Sequence, residues 1–183
     1  MKLEHENLCI RNATPDDAET LARWWNDGAV MAHAGFPKGL GQAAHDIACS
    51  LAHDSDQTHR RLIVEIRGVA SGEMNYRNQG DGVAEIGIKI CEPAQQNRGN
   101  GRKLLSMLLR ALFDELGYRK VVLDTNLQNV RAQHVYESLG FRKVRICRDS
   151  WTDQLGALQS SVEYELLPGQ LISFLHEGEP RNN

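Results

Sequence analysis

Residues 96–101 read Gln-Asn-Arg-Gly-Asn-Gly and lie between two segments of different hydrophobic periodicity. Before them, Ile86, Ile88 and Ile90 alternate with other residues as in a β-strand, and after them apolar residues recur at the spacing of an amphipathic helix. The sequence therefore predicts a glycine turn that opens a helix at the end of a strand. Because glycine permits close backbone approach and the first amides of a helix lack intrahelical acceptors, this junction suits a phosphate-bearing ligand.

Three phosphate-binding patterns can be compared with this turn. The nucleotide P-loop needs Gly-x-x-x-x-Gly-Lys-Ser/Thr, which the turn lacks, and the dinucleotide fingerprint needs a third glycine at the position of Leu104. The pattern that fits is Gln-x-x-Gly-x-Gly, which resembles the pyrophosphate-binding signature of the GNAT N-acetyltransferase superfamily. On these six residues alone, an ordinary strand-to-helix turn is the simpler interpretation.

A second motif lies within residues 126–142. It resembles the C-terminal GNAT motif Asn-x-x-Ala-x-x-x-Tyr-x-x-x-Gly-Phe, whose positions are here Asn129, Ala132, Tyr136, Gly140 and Phe141. Both motifs stand in the family's order, with a long helix and a strand between them. The order of elements also agrees from about residue 8 to 167, so the resemblance covers nearly the whole chain.

Two further stretches resemble one branch of that superfamily. Residues 24–27 (Trp-Trp-Asn-Asp) and 85–87 (Glu-Ile-Gly) are similar to enzymes that acetylate the N-termini of ribosomal proteins. The same branch contains acetyltransferases of small amines, so the resemblance implies the reaction without fixing the acceptor.

The resemblance implies an α/β fold, with one domain over residues 1–183 and a core at about 8–167. Its centre would be a mixed, mostly antiparallel sheet of six to seven strands flanked by helices, with the fourth and fifth strands splayed apart. Periodicity places the strands at 8–11, 61–66, 70–76, 83–91, 120–124, 141–148 and 161–166. Helices are predicted from Thr14, over 43–52, from the glycine turn to Gly117, from Asn129 to about 139, and around 170–176. The tail at 177–183 is predicted to be flexible.

Composition limits the classes of partner. The chain has 183 residues, of which 41% are hydrophobic and 25% charged, and its net charge of −3 gives no support for a nucleic-acid partner. Its four cysteines are scattered and its histidines show no metal-binding spacing, so we expect reduced thiols and no metal. No apolar run has the length of a membrane span, and the N-terminus does not resemble a signal peptide. These features favour a cytoplasmic protein without a membrane partner.

The resemblance implies acetyl-CoA as cosubstrate. Its pantetheine arm would lie in the gap between the splayed strands, and its pyrophosphate would rest on the glycine turn, where the helix dipole and nearby cations favour phosphate. The candidate cofactor-binding residues are Ile88, Lys89, Ile90, Gln96, Asn97, Arg98, Gly99, Asn100, Gly101, Arg102, Lys103 and Asn129. A helix-capping role explains Asn129 equally well.

Direct attack of an amine on a thioester needs a base, an oxyanion donor and an acid. The amine must lose a proton, for which the resemblance implies Glu85 or a chain of waters, although Glu85 also fits a solvated position on a strand. An amide near Ile88 would stabilise the oxyanion, and Tyr136 matches the family's acid for the departing thiolate. Cys91, beside the turn, has no evident histidine partner for a covalent route. The residues expected to line the acceptor pocket, or else to pack in the core, are Trp25, Phe36, Met74, Tyr76 and Trp151.

These inferences predict an acetyl-CoA-dependent N-acetyltransferase that acts on a primary amine. A protein N-terminus ranks first as acceptor, followed by a small amine such as a polyamine, an aminoglycoside or an amino-acid derivative. A non-catalytic module that senses acyl-CoA is the alternative of another class, and the candidates at Glu85 and Tyr136 argue against it. Relatives are often dimers, so the resemblance also allows a homodimer.

Overall fold

The centre of the molecule is a mixed eight-stranded β-sheet, seen in a computed structural model that describes residues 1–175. Its strands are β1 (Lys2–His5), β2 (Leu8–Asn12), β3 (His59–Ile66), β4 (Val69–Asn78), β5 (Val83–Ile90), β6 (Lys120–Asn126), β7 (Arg142–Thr152) and β8 (Leu158–Leu166). They lie in the order β1-β2-β3-β4-β5-β6-β8-β7, and every neighbouring pair is antiparallel except β5 and β6. The predicted mixed, mostly antiparallel sheet is confirmed.

The sheet has one strand more than the six to seven expected. The additional strand is β1, which lies at the edge of the sheet and pairs with β2 from Lys2↔Arg11 to His5↔Leu8. Its side chains alternate only between exposed and half-buried, so four residues offered too little hydrophobic periodicity to be recognised. The predicted fourth and fifth strands are consequently β5 and β6.

Helices cover both faces of the sheet. They are α1 (Ala18–Trp25), α2 (Gly28–Met31), α3 (Ala44–Leu51), α4 (Asn100–Arg110) and α5 (Val130–Ser138), with 3₁₀ turns at Pro15–Asp17, Ala32–Ala34, Pro93–Gln95 and Pro168–Gln170 and a π-helical turn at Ala111–Glu115. Helices α4 and α5 bury their apolar sides against one face, and α1 and α3 bury theirs against the other. Within residues 1–175, no helix is long and apolar enough to cross a membrane.

The prediction of a C-terminal helix around 170–176 is wrong for the residues that the structure describes. After Pro168–Gln170 the chain has no regular secondary structure as far as residue 175. The amide of Phe174 instead donates to Ser106 Oγ at 2.9 Å, and the amide of Ile172 donates to the Leu139 carbonyl at 2.9 Å. Contacts with α4 and α5 thus satisfy these amides in place of a helix. Residue 176 and the predicted tail at 177–183 lie outside the described residues.

Strands β5 and β6 pair over only three positions and then separate. The pairs are Val83↔Lys120, Ala84↔Val121 and Glu85↔Val122. From Ile86 onward β5 has no partner on β6 in the described chain, while β6 continues along β8 as far as Asn126↔Ser161. The predicted separation of the two strands is confirmed. It opens a gap in the middle of the sheet, toward the end of β5 that leads into the glycine turn.

Candidate functional site

The glycine turn forms the beginning of α4. Asn97 and Gly99 adopt positive φ angles of 60° and 77°, and Gly99 precedes Asn100 as the N-cap. A Cβ atom at Gly101 would meet no other atom within 4 Å, so the space beside the first turn of the helix is open. The first amides of α4 have no intrahelical acceptors. Open space and unsatisfied amides together fit a pyrophosphate group.

Three cationic side chains surround the turn. The Arg102 guanidinium lies 5.2 Å from the centre of the Phe174 ring, and Lys103 Nζ donates to Glu6 Oε2 at 2.7 Å. Arg98 Nε donates to the backbone carbonyl of Ala94 at 2.7 Å. These contacts hold the cations beside the turn, where their charge adds to the positive end of the helix dipole.

Polar side chains connect the turn to its neighbours. Gln96 Nε2 donates to the carbonyl of Ile90 at 2.9 Å, which fixes the turn to the end of β5. Asn97 Oδ1 accepts from Arg131 at 3.0 Å, which links the turn to α5. Asn129 caps α5, its Oδ1 accepting a backbone N–H at 3.2 Å. The capping interpretation of Asn129 is therefore satisfied within the chain itself.

The unpaired part of β5 contains three candidate cofactor-binding residues. Ile88 and Ile90 are half-buried and pack against the core on the α4 face, whereas Lys89 lies on the opposite face. Their backbone borders the gap at positions that β6 does not pair. A strand edge of this kind can pair with the amide groups of an extended ligand.

Tyr136 of α5 lies close enough to β6 for the charge of Asp124 to act on its hydroxyl. Its side chain is 8% exposed, and its ring packs against Phe141 and Tyr164 with centroid distances of 5.9 Å each. Its hydroxyl has no hydrogen-bond partner among residues 1–175. Burial, together with the charge of Asp124, raises the pKa of Tyr136 to about 12. The hydroxyl is thus protonated near neutral pH and can donate a proton.

Glu85 is the last residue of β5 that pairs with β6, so it lies where the gap begins. Its carboxylate accepts from Gln79 Nε2 and lies 3.8 Å from an Arg77 nitrogen. The side chain is 36% exposed, which leaves the carboxylate accessible to water and to an amine. It can therefore accept a proton from an amine directly or through a water molecule.

Sequence reasoning missed Asp124, which follows the buried part of β6. It pairs in register with Glu163 of β8. Its side chain is exposed at the edge of the gap. Partial desolvation by the surrounding protein nevertheless raises the pKa of Asp124, and the negative charges of Glu85 and Glu163 raise this pKa further. The sequence signal for Asp124 was weak: it is a polar residue that directly follows Val121, Val122 and Leu123. Glu163 is paired with Arg145 at 2.7 Å and Glu85 lies 3.8 Å from Arg77, whereas Asp124 has no cationic partner within residues 1–175.

A cleft of about 590 Å³ lies on the sheet face that carries α1 and α3. Its lining residues are Trp25, Met31, Leu40, Gln42, Asp46, Ser50, His59, Arg61, Glu73, Asn75 and Arg77. Arg77 also contacts Glu85, so the cleft leads toward the gap. Arg61 is paired with Asp54 at 2.6 Å, whereas Asp46 has no cationic partner within residues 1–175. The volume suits a small molecule.

Only one of the five predicted acceptor-pocket residues, Trp25, lines this cleft. Met74 and Tyr76 are 1% and 0% exposed and belong to the core beneath α4. Alternation along β4 sends these two side chains to the face opposite the cleft. Phe36 and Trp151 lie near each other around Gly35 and are not among the lining residues. Burial of Met74 and Tyr76 agrees with the alternative of core packing, and a role of any of the five residues in the acceptor pocket stays a prediction.

The buried thiol of Cys91 does not suit a covalent route. The residue is 2% exposed, and burial raises the pKa of its thiol to about 12, so almost no thiolate forms near neutral pH. Among residues 1–175, no group of three or more His, Cys, Asp or Glu side chains is arranged to hold a metal ion.

The gap, the turn and their order along the chain can now be compared with known proteins. The family model of the GNAT acetyltransferase domain matches residues 7–142. The chain belongs to this GNAT family. A probable acetyltransferase of known structure superposes with a TM-score of 0.76 at 22% identity, covering 92% of this chain and 98% of that one. A structure of spermidine N-acetyltransferase from Vibrio cholerae in complex with CoA and spermine gives a TM-score of 0.78 at 22% identity, covering 90% and 97%.

Curated relatives of this GNAT protein include two spermidine N(1)-acetyltransferases. That of Vibrio cholerae is 34% identical over 95 residues, which cover 49% of this chain and 53% of the relative. That of Escherichia coli K12 is 32% identical over 91 residues, which cover 49% and 48%. The chain thus spans about half the length of the curated relatives that it matches. These relatives give no support for the predicted resemblance to the ribosomal-protein branch.

Proposed function

We propose that this GNAT protein transfers the acetyl group of acetyl-CoA to a primary amine of a small cationic molecule, by direct attack in a ternary complex. The observation that supports it best is the gap between β5 and β6, which has an amide-rich turn at one end and Glu85, Asp124 and Tyr136 at the other. Phosphate binding and proton transfer are thus available along one continuous opening.

The donor side of the proposal rests on backbone groups. The amides at the beginning of α4 would hold the pyrophosphate, and the unpaired edge of β5 at Ile88–Ile90 would hold the pantetheine arm. Bound in this way, acetyl-CoA supplies an activated acetyl thioester. An amide near Ile88 would donate to the carbonyl oxygen as negative charge develops there.

The proton movements can be assigned to side chains of the chain. Glu85, accessible at 36% exposure, takes the proton that the attacking ammonium must lose, directly or through water. Tyr136, with a pKa of about 12, gives its proton to the departing thiolate and is restored by solvent. The ammonium loses one proton before the neutral amine attacks, and the nitrogen loses a second as the tetrahedral intermediate collapses and the C–S bond breaks. Of these two protons, the balance is one added to sulfur and one released to solvent.

The carboxylates around the gap favour a cationic acceptor. Asp124 at the gap and Asp46 in the cleft have no cationic partner within residues 1–175, so both can attract a cationic acceptor. The curated relatives, which are named for acetylation of spermidine, support a small polyamine-like acceptor above a protein N-terminus, the acceptor ranked first from the sequence. A non-catalytic acyl-CoA sensor is not favoured, because these relatives are named as enzymes.

The test is acetyl-CoA-dependent thiol release with a panel of di-, tri- and tetraamines, aminoglycosides and peptides. We expect turnover with the small amines and a loss of about 10²-fold or more in kcat for Glu85→Gln. Glu165→Gln is the matched control, since Glu165 is also a strand carboxylate but contacts Arg142 and Lys120. Turnover of peptides alone would replace the proposed acceptor class. Acetyl-CoA binding without turnover of any acceptor would support the sensor.

A further inference from the structure

Besides Arg61 and Arg77, which line the cleft, a third cation of the protein, Lys89, lies at its boundary. Lys89 of β5 lies directly opposite Glu73 of β4 in the register of the sheet. Lys89 Nζ is 3.1 Å from Glu73 Oε1 and 3.0 Å from Met31 Sδ. Glu73 and Met31 both line the cleft, so the ammonium is held at its boundary.

The ion pair leaves Glu73 with little capacity for a ligand. While Oε1 accepts from Lys89, Oε2 accepts from Trp25 Nε1 at 2.8 Å. The side chains of Lys89 and Glu73 are only 26% and 14% exposed, so water screens the pair weakly. An ammonium group of an acceptor that reaches this carboxylate therefore competes with Lys89 for it and is repelled by the Lys89 charge.

Glu73 is also well placed for a second charge of an elongated acceptor. Lys89 lies four residues beyond Glu85 on the same face of β5, a distance of about 13 Å along the strand. An amine that reacts near Glu85 and extends along the cleft therefore brings any further ammonium toward Glu73. In this chain that position is filled by the side chain of Lys89.

We propose that Lys89 is a specificity-determining residue that restricts the acceptor to short amines by occupying Glu73 in place of a distal ammonium. A diamine reacts without contacting Glu73. In a tetraamine, the distal ammonium that Glu73 would otherwise stabilise meets the positive charge of Lys89. The inference rests on the proposed function, because it concerns which amine the same site accepts. It applies to selectivity and not to the transfer step itself.

The test compares kcat/KM for a diamine and a tetraamine in the wild type, Lys89→Met and Lys89→Arg. Freeing Glu73 makes a charge-assisted contact available, so Lys89→Met should raise the tetraamine-to-diamine ratio about tenfold. Lys89→Arg keeps the charge and should retain the wild-type ratio. Calorimetric binding of the tetraamine to the CoA-saturated protein should tighten in Lys89→Met by a similar factor, which gives a readout independent of turnover.

Several outcomes would overturn the inference. An unchanged or lower ratio in Lys89→Met, or an equal loss with both amines, would show that Lys89 does not set selectivity. Lys89→Gln is the second neutral variant if Lys89→Met does not fold, and the same ratio is expected of it. Absence of turnover with every amine in the wild type would instead refute the proposed function, while the calorimetric comparison would still test the competition for Glu73.

Discussion

Two neighbouring tyrosines allow the proton donor to be tested against a matched control. Tyr136 and Tyr164 are 8% and 1% exposed and their rings pack together at 5.9 Å. They differ in their hydroxyl groups: that of Tyr136 has no partner within residues 1–175, and that of Tyr164 donates to Glu137 Oε1 at 2.9 Å. Replacing each by phenylalanine therefore separates catalysis from stability.

The expected magnitudes follow from these surroundings. With a pKa of about 12, Tyr136 is ionised in only about one molecule in 10⁴ at pH 8, so the acid form is present throughout the working range. Losing a positioned general acid should lower kcat about 10²- to 10⁴-fold in Tyr136→Phe. The free energy of unfolding should change by no more than about 0.5 kcal/mol, because the ring packing is kept and no hydrogen bond is lost.

Tyr164→Phe should give the opposite result. Removing its hydrogen bond to Glu137 should cost about 1 kcal/mol and lower Tm by roughly 2–4 °C, with kcat within twofold of the wild type. Thiol release and thermal unfolding of both variants make the comparison. A Tyr136→Phe protein with wild-type kcat, or one whose loss of activity tracks a loss of stability, would refute the assignment of Tyr136 as the acid.

Two further predictions concern the turn and the N-terminal ion pair. Gly101→Ala should raise KM for acetyl-CoA several-fold, because the added Cβ enters the space assigned to the pyrophosphate. Tm should not change, because the Cβ meets no protein atom within 4 Å. An unchanged KM would place the pyrophosphate elsewhere. Burial of Asp17 acts to raise its pKa, but two 2.8 Å hydrogen bonds from Arg11 outweigh this effect, so the pKa of Asp17 lies below its ordinary value of 3.8. The ion pair therefore stabilises the fold fully above about pH 4 and is lost below it as the carboxylate is protonated. In acid titrations of the unfolding free energy, Asp17→Asn should cost about 2 kcal/mol at pH 7 and reduce the steepness below pH 4, and equal slopes would contradict this account.

The strand, turn and helix that form the proposed donor side could be predicted because their determinants are local. The turn at 96–101, the preceding strand and the following helix are adjacent in sequence, and the positive φ of Gly99 is what a glycine at that position suggests. Tyr136 could be placed for a similar reason, because one helical motif contains it. Short-range periodicity was enough for the elements themselves, whereas the roles proposed for the turn and for Tyr136 came from the resemblance to the GNAT family.

The acceptor side is built from distant parts of the chain. Asp46 and Glu73 come from α3 and β4 and meet only in the cleft, and Asp124 of β6 lies at the gap. The sequence left Met74 and Tyr76 open between the pocket and the core, and alternation along β4 buries both beneath α4. Deciding which face of a strand meets the substrate required knowing which helices cover each face.

The short pairing of β5 with β6 has a consequence for handling the protein. Beyond Glu85 and Val122 the sheet contains two facing edges with unsatisfied backbone groups, and such edges invite association with other extended chains. A molecule bound between them would join the two halves of the sheet, and at 100 times its dissociation constant it would add about 2.7 kcal/mol to the free energy of unfolding. Purification and storage with CoA should therefore suppress aggregation. The cosubstrate would then also stabilise the fold for as long as it is bound.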